Sequence, residues 1–183
     1  GAGAMICLTL GTGVGGGMIL NGALWRGVRG MAAELGHVSV ATDGRACGCG
    51  NQDCLEQYVG AVGIRRTLRE QGGSYGDLAA SSDAPRQLAA LARSGDVIAR
   101  DIYRGIGMCI GRAITTYLHV LDMDRVVIGG GIAASMDLFI EPLEETARTH
   151  SYGAMTAGLS VLAGSLGTQA GILGAALVAR EGL

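Results

Sequence analysis

Met5-Ile6-Cys7-Leu8-Thr9-Leu10 is a short apolar run stopped by glycine, the pattern of a buried strand. The stretch Gly11-Thr12-Gly13-Val14-Gly15-Gly16-Gly17 then reads as a loop, and Met18-Ile19-Leu20 resumes a strand. Asn21-Gly22 is a type I′ hairpin signal, because both central residues of that turn need positive φ. The first unit is thus expected to be a hairpin with a Gly-rich bend between its strands. Periodicity fades from Gly27 to Asp53, which suits a loop-built region around a brief strand at Val38-Ser39-Val40. Leu55 to Glu70 reads as helical, Gly72 to Asp83 as a polar surface connection, and Pro85 as the start of a helix carrying Leu88, Leu91 and Ala92.

The strongest helical pattern runs from Asp96 to Leu121, where Ile98, Ile102, Ile106, Ile110, Ile114 and Leu118 recur at every fourth position. Gly105, Gly107 and Gly111 are costly inside a helix and predict close packing against a neighbour. Beyond it come a strand at Arg125 to Ile128, a tight turn at Gly129-Gly130-Gly131, a helix from Ala134 to Thr149, a strand at Leu159 to Leu162 and a final helix from Gln169 to Glu181. Strands alternating with helices give an α/β fold.

At 183 residues, 49% hydrophobic and only 16% charged, the sequence fits one well-packed domain. A net charge of -2 offers no electrostatic footprint for nucleic acid or an anionic membrane surface, so small-molecule chemistry is expected, with neither of those as a partner. No apolar stretch approaches the roughly 18 residues of a membrane span, and no basic segment precedes an apolar one at the start, so the expected location is cytoplasmic. Cys7 and Cys109 lie in apolar runs and are expected to be buried. The other three cysteines fall between Cys47 and Cys54, which suits a metal site better than a disulfide framework.

Four features carry chemistry. His37, Cys47, Cys49 and Cys54 offer an imidazole and three thiolates, the donor set of a closed tetrahedral Zn²⁺ site; small buried residues beside a satisfied histidine are the alternative. Gly48 and Gly50 favour the metal, since a chain folding its thiolates onto one point needs permissive backbone there. The Gly11 to Gly17 loop formally contains the dinucleotide fingerprint, but that fingerprint must open a helix and here a strand follows. A Gly-rich bend can instead present backbone N–H groups and the Thr12 hydroxyl to phosphate, or serve as a plain hairpin. Gly129, Gly130 and Gly131 end a buried strand, where ligands bind in α/β sheets and where plain turns also occur. Glu34 and Glu56 flank the Cys/His cluster and could accept hydrogen bonds from sugar hydroxyls, although either alone would suit a solvated surface.

Taken in order, Leu10 to Gly17, Asn21-Gly22, Ala33-Glu34-Leu35-Gly36-His37, Cys47-Gly48-Cys49-Gly50 and Cys54-Leu55-Glu56 resemble the successive signatures of ROK-family sugar kinases. Asp122 to Gly131 resembles the family's second nucleotide segment and Gly164 to Ala176 its closing helix. The resemblance implies an actin-like ATPase (ribonuclease H-like) fold and transfer of the ATP γ-phosphoryl group to a hexose hydroxyl, with glucose the favoured sugar. It implies that Gly11, Thr12 and Gly13 contact phosphates, that Gly129, Gly130 and Gly131 face the adenosine, and that His37, Cys47, Cys49 and Cys54 hold structural zinc. Glu34, His37 and Glu56 would bind sugar, His37 using one ring nitrogen for each role. Mg²⁺ accompanies the ATP, and a homodimer is the family habit.

The sequence departs from the family pattern in one major respect. The aspartate that takes the sugar's proton, and the Asp-Gly-Thr phosphate loop before it, are absent. With no initiator methionine ahead of Gly1-Ala2-Gly3-Ala4, residues 1–183 are expected to be the C-terminal domain of such a kinase, lacking its N-terminal domain and inactive alone. A sugar-responsive repressor of the same family, with a DNA-binding domain upstream, is the rival reading. Ala33 and Met123 stand where the family favours Gly and Pro.

Overall fold

A computed structural model describes residues 3–181. Strands β1 (Ala4–Leu10), β2 (Val14–Leu20), β3 (Ala23–Leu24), β4 (Arg125–Gly129) and β5 (Ser160–Ala163) form one sheet in the order β3-β2-β1-β4-β5. β2 is antiparallel to both its neighbours, while β1, β4 and β5 are parallel. Parallel neighbours need long crossovers. The first of these carries α1 (Glu56–Val59), α2 (Ala61–Gln71), α3 (Gly73–Leu78), α4 (Ala84–Arg93) and α5 (Val97–Leu121). The second carries a 3-10 segment (Gly131–Leu138), α6 (Ile140–His150) and α7 (Gly153–Thr156); α8 (Ala170–Glu181) follows β5. Order and strand directions are those of a ribonuclease H-like sheet.

The hairpin is tighter than the run of glycines suggests. Leu10 pairs with Val14, so the bend is only Gly11-Thr12-Gly13, and Gly15, Gly16 and Gly17 lie within β2 opposite Thr9, Leu8 and Cys7. Asn21 and Gly22 have φ of 52° and 77°, the conformation a type I′ turn requires. Ile6, Leu8 and Leu10 of β1 and Val126 and Ile128 of β4 alternate into the core. The opposite face is thinly covered, which leaves Cys7 half-buried rather than buried. Cys109 is half-buried too.

Ile102, Ile106, Ile110, Ile114 and Leu118 of α5 are buried as their spacing demands, whereas Ile98, in the first turn, is 42% exposed. A Cβ on Gly107 would fall 2.5 Å from the Phe139 carbonyl, and one on Gly111 would fall 2.6 Å from the Leu143 carbonyl. These two glycines let α6 cross α5 at close range; Gly105 meets nothing within 4 Å.

Four segments differ from the sequence pattern. Val38 to Val40 forms no strand, only an isolated bridge between Ser39 and Cys54. The helix from Leu55 breaks at Gly60, whose ψ of 162° is extended, giving α1 and α2. The connection after Gly72 contains α3, and the helix after Gly131 breaks at Phe139 (φ -130°, ψ -5°). Leu166, Ile172, Leu173 and Leu177, in and just before α8, are between 42% and 74% exposed. No helix among the described residues is long and apolar enough to cross a membrane.

Candidate functional site

The loop from Ala33 to Asp53 is shaped by short-range hydrogen bonds rather than by regular structure. His37 closes a 3-10 turn (Leu35–His37), Cys47 donates its N–H to the Asn51 carbonyl, and Gly50 donates to the Cys47 carbonyl. Gly50 sits at φ 92°, so the tight turn between Cys49 and Cys54 needs glycine there, while Gly48 has no such constraint. These bonds bring one donor atom each from His37, Cys47, Cys49 and Cys54 within 4.8 Å of one another. His37 Nδ1 lies 3.6 Å from Cys47 Sγ, and the Cys49 and Cys54 sulfurs are 3.6 Å apart. Zn–S bonds of about 2.3 Å at tetrahedral angles set sulfurs roughly 3.8 Å apart, so the donor set fits zinc in type, number and spacing.

Burial pushes the Cys47 thiol up, but hydrogen bonds from the Cys49 backbone and from Cys49, Cys54 and His37 outweigh it and bring it down to about 7. Burial and the two neighbouring thiols push Cys54 up to about 12. Thiols this close oppose one another's ionisation, and a divalent cation is the partner that lets all three ionise together.

Three residues behind the metal loop carry no recognisable spacing in the sequence. Asp53, at φ 58°, accepts the N–H groups of Gly44 (3.1 Å) and Arg45 (2.9 Å) and the Tyr58 hydroxyl (2.5 Å). The Tyr58 hydroxyl, followed by those backbone donors, holds the Asp53 carboxyl below the usual carboxylate range. Arg45 stacks 4.4 Å from the centre of the Tyr58 ring and donates to the Gln57 carbonyl, Thr67 and Glu70. The loop is thereby fixed to α1, which starts immediately after Cys54 and Leu55, and to α2, which follows it after Gly60.

Close backbone packing seats the His37 segment on the hairpin. A Cβ on Gly36 would lie 2.3 Å from the Val14 carbonyl, and one on Gly16 would lie 2.3 Å from the Ala33 carbonyl. Gly16 therefore serves packing rather than a phosphate loop. Ala33 adopts φ 69°, a left-handed conformation that favours glycine. His37 turns Nδ1 to the thiols and Nε2 to Glu34, 3.7 Å from Oε2. Glu56 reaches the hairpin from the other side and accepts the Val14 N–H at 3.1 Å. Glu56 thus lies against Gly13 of the bend, and the turn that carries His37 lies against Val14, the residue that follows it.

The bend itself is oriented by α2. The Ala61 and Val62 N–H groups donate to the carbonyls of Gly11 (2.9 Å) and Thr12 (3.2 Å). With those carbonyls turned to the helix and the Gly11 N–H held by the Gly13 carbonyl, the N–H groups of Thr12 and Gly13 have no backbone acceptor among the described residues. Gly130, at φ 88°, packs so tightly on the end of β1 that a Cβ would lie 2.3 Å from the Leu10 carbonyl. Gly129 and Gly131 have open space beside them. A cavity of about 460 Å³ lies between Gly11 and Thr12 on one side, Gly131 and Ala134 on another, and Pro85 and Ala89 of α4.

A model of the ROK family matches residues 1–182. The chain is 38% identical to a glucokinase of Thermotoga maritima over 184 residues, covering 97% of this chain and 58% of that protein. It is 27% identical to the xylose repressor of Bacillus subtilis, covering 93% of this chain and 42% of that one. The crystal structure of a ROK family glucokinase from Streptomyces griseus in complex with glucose and AMPPNP has a TM-score of 0.83 at 34% identity, covering 99% of this chain and 62% of that one. The chain therefore spans less than two thirds of the length of these relatives, and its fold is the actin-like ATPase fold of ROK sugar kinases. With the family pattern matched across residues 1–182 and the sheet order of that fold in place, the chain belongs to the ROK family.

Proposed function

We propose that residues 1–183 are the nucleotide- and zinc-binding C-terminal part of a ROK sugar kinase, whose intact form transfers the ATP γ-phosphoryl group to the 6-hydroxyl of glucose. The observation that carries this reading is the Glu56 carboxylate bonded to the Val14 N–H beside Gly13. One carboxylate joins the sugar-side cluster to the bend that faces phosphate, so a sugar hydroxyl held there lies next to the transferred group. Phosphoryl transfer depends mainly on such positioning and on charge stabilisation.

In this reading Glu34, His37 and Glu56 hold the sugar, the Thr12 and Gly13 N–H groups and the Thr12 hydroxyl hold phosphate oxygens, and Gly129, Gly130 and Gly131 border the nucleoside. Zinc, held by His37, Cys47, Cys49 and Cys54, would crosslink the loop and fix the His37 ring, leaving Nε2 for the sugar. Mg²⁺ would neutralise phosphate charge. The base that takes the hydroxyl proton would come from residues outside these 183. Identity of 38% to a glucokinase against 27% to a repressor supports the kinase over the sensor.

Isothermal titration of glucose and of ADP into the zinc-loaded chain tests the proposal. Both should bind, and Glu56→Gln should weaken glucose at least tenfold, the loss expected when a charged acceptor is removed. Glucose affinity unaffected by Glu56→Gln would remove the observation on which the reading rests.

A further inference from the structure

The cavity between the two glycine segments has α4 as one wall, which packs on α5, α2 and the segment 131–138 through the buried Ala84, Leu88, Ala89 and Ala92. Arginines tie it down at both ends. Before its N-terminus, the Arg65 guanidinium donates to the carbonyls of Ser81 (3.3 Å) and Ser82 (2.8 Å). At its C-terminal end, Arg93 reaches across to the segment after Gly131. Its Nη2 donates to the Ala134 carbonyl at 3.1 Å and to Asp137 Oδ1 at 2.6 Å, and its Nε donates to Oδ2 at 3.0 Å. Ala134 lines the opposite wall of the cavity, so this bond joins one wall to the other.

The pair stands half in solvent, with side-chain exposures of 46% for Arg93 and 57% for Asp137. An ion pair so exposed adds little to global stability. Its geometry is nevertheless specific: a two-pronged carboxylate contact plus a backbone carbonyl fixes both the direction of the guanidinium and the spacing of the two segments.

We propose that Arg93 and Asp137 are positioning residues that set the width of the nucleoside half of the cleft, acting as a clamp between α4 and the segment 131–138. This rests on the nucleotide reading above. Arg93 lines the same cavity as Gly11 and Thr12, but among the described residues its hydrogen bonds go to Asp137 and Ala134 and none goes to the bend or to the sugar-side carboxylates, so loss of the clamp falls on the nucleoside through the spacing of the walls. The clamp separates recognition of adenosine from recognition of the phosphate chain.

Titration of ADP and of inorganic tripolyphosphate into the wild-type chain, Arg93→Met, Asp137→Ala and the double variant tests this. ADP affinity should fall about tenfold in each single variant, within what a small misplacement commands. Tripolyphosphate affinity should stay within twofold, and the double variant should be no worse than either single one, the signature of two residues acting as one unit. Equal weakening of both ligands, unchanged ADP affinity, or additive effects would each overturn the clamp. A wild-type chain that binds tripolyphosphate as tightly as ADP overturns the clamp alone, because the cavity then takes no nucleoside. A wild-type chain that binds neither overturns the kinase reading and the clamp with it.

Discussion

The Glu56 carboxylate accepts the Val14 N–H at 3.1 Å and covers Gly13 so closely that a Cβ there would fall 2.0 Å from Oε2. Glycine at position 13 is therefore what allows the carboxylate to reach the bend. The colliding atom is the far end of a flexible side chain, which can swing away at little cost to the fold.

Gly13→Ala should accordingly leave the melting temperature within a few degrees of wild type while glucose affinity drops about tenfold or more, since the displaced acceptor is charged. Calorimetric titration with a parallel thermal melt checks both halves. A variant that binds glucose normally would show that Glu56 need not sit where it does.

The glycines after β4 should separate a folding role from a ligand role. Gly130→Ala meets both positive φ and the Leu10 carbonyl at 2.3 Å, so it should destabilise by about 2–4 kcal/mol in denaturant unfolding. Gly131→Ala has free space, so stability should change by no more than ~0.5 kcal/mol. Its added methyl group borders the cavity and should weaken ADP.

Zinc should account for a large share of the chain's stability. Metal analysis should give one zinc per chain for wild type and none for Cys54→Ser. Where free zinc exceeds its dissociation constant 1,000-fold, the bound metal contributes about 4 kcal/mol, and a strong chelator should remove that amount. Unchanged melting on chelation would mean that the thiols and His37 hold the loop without metal.

Inside α5 two glycines should respond with opposite signs. Gly105→Ala meets nothing within 4 Å and should stabilise by about 0.5–1 kcal/mol through helix propensity. Gly107→Ala would push against the Phe139 carbonyl at 2.5 Å and the Leu143 N–H at 3.1 Å, and should destabilise by about 1–3 kcal/mol despite the same propensity gain. Urea unfolding of the two variants decides this.

Much of this architecture was legible where a single local rule decides the outcome. Asn21-Gly22 dictates its own turn, and the isoleucines of α5 have one face to bury. The Cys/His cluster was legible because few structures need three thiols and an imidazole so close in sequence. What the pattern missed depends on partners far along the chain. Gly15 to Gly17 look like a loop until β1 is seen opposite them and the Ala33 carbonyl beside Gly16. Gly60 breaks a helix because the Gly11 and Thr12 carbonyls take the Ala61 and Val62 N–H groups, turning the chain there. Arg45, Asp53 and Tyr58 are ordinary residue types at ordinary spacing, and only the folded loop makes them a support for the metal site. Gly105 stands where close packing was expected and has none.

The most direct test of the kinase reading is transfer itself, measured with the protein expressed from its complete reading frame, glucose and Mg-ATP. Formation of glucose 6-phosphate, together with its loss in Gly13→Ala and its absence from residues 1–183 alone, is the predicted result. Tight glucose binding with no phosphorylated product, or a DNA-binding domain ahead of this segment, would contradict it and make the chain the sugar-sensing part of a repressor.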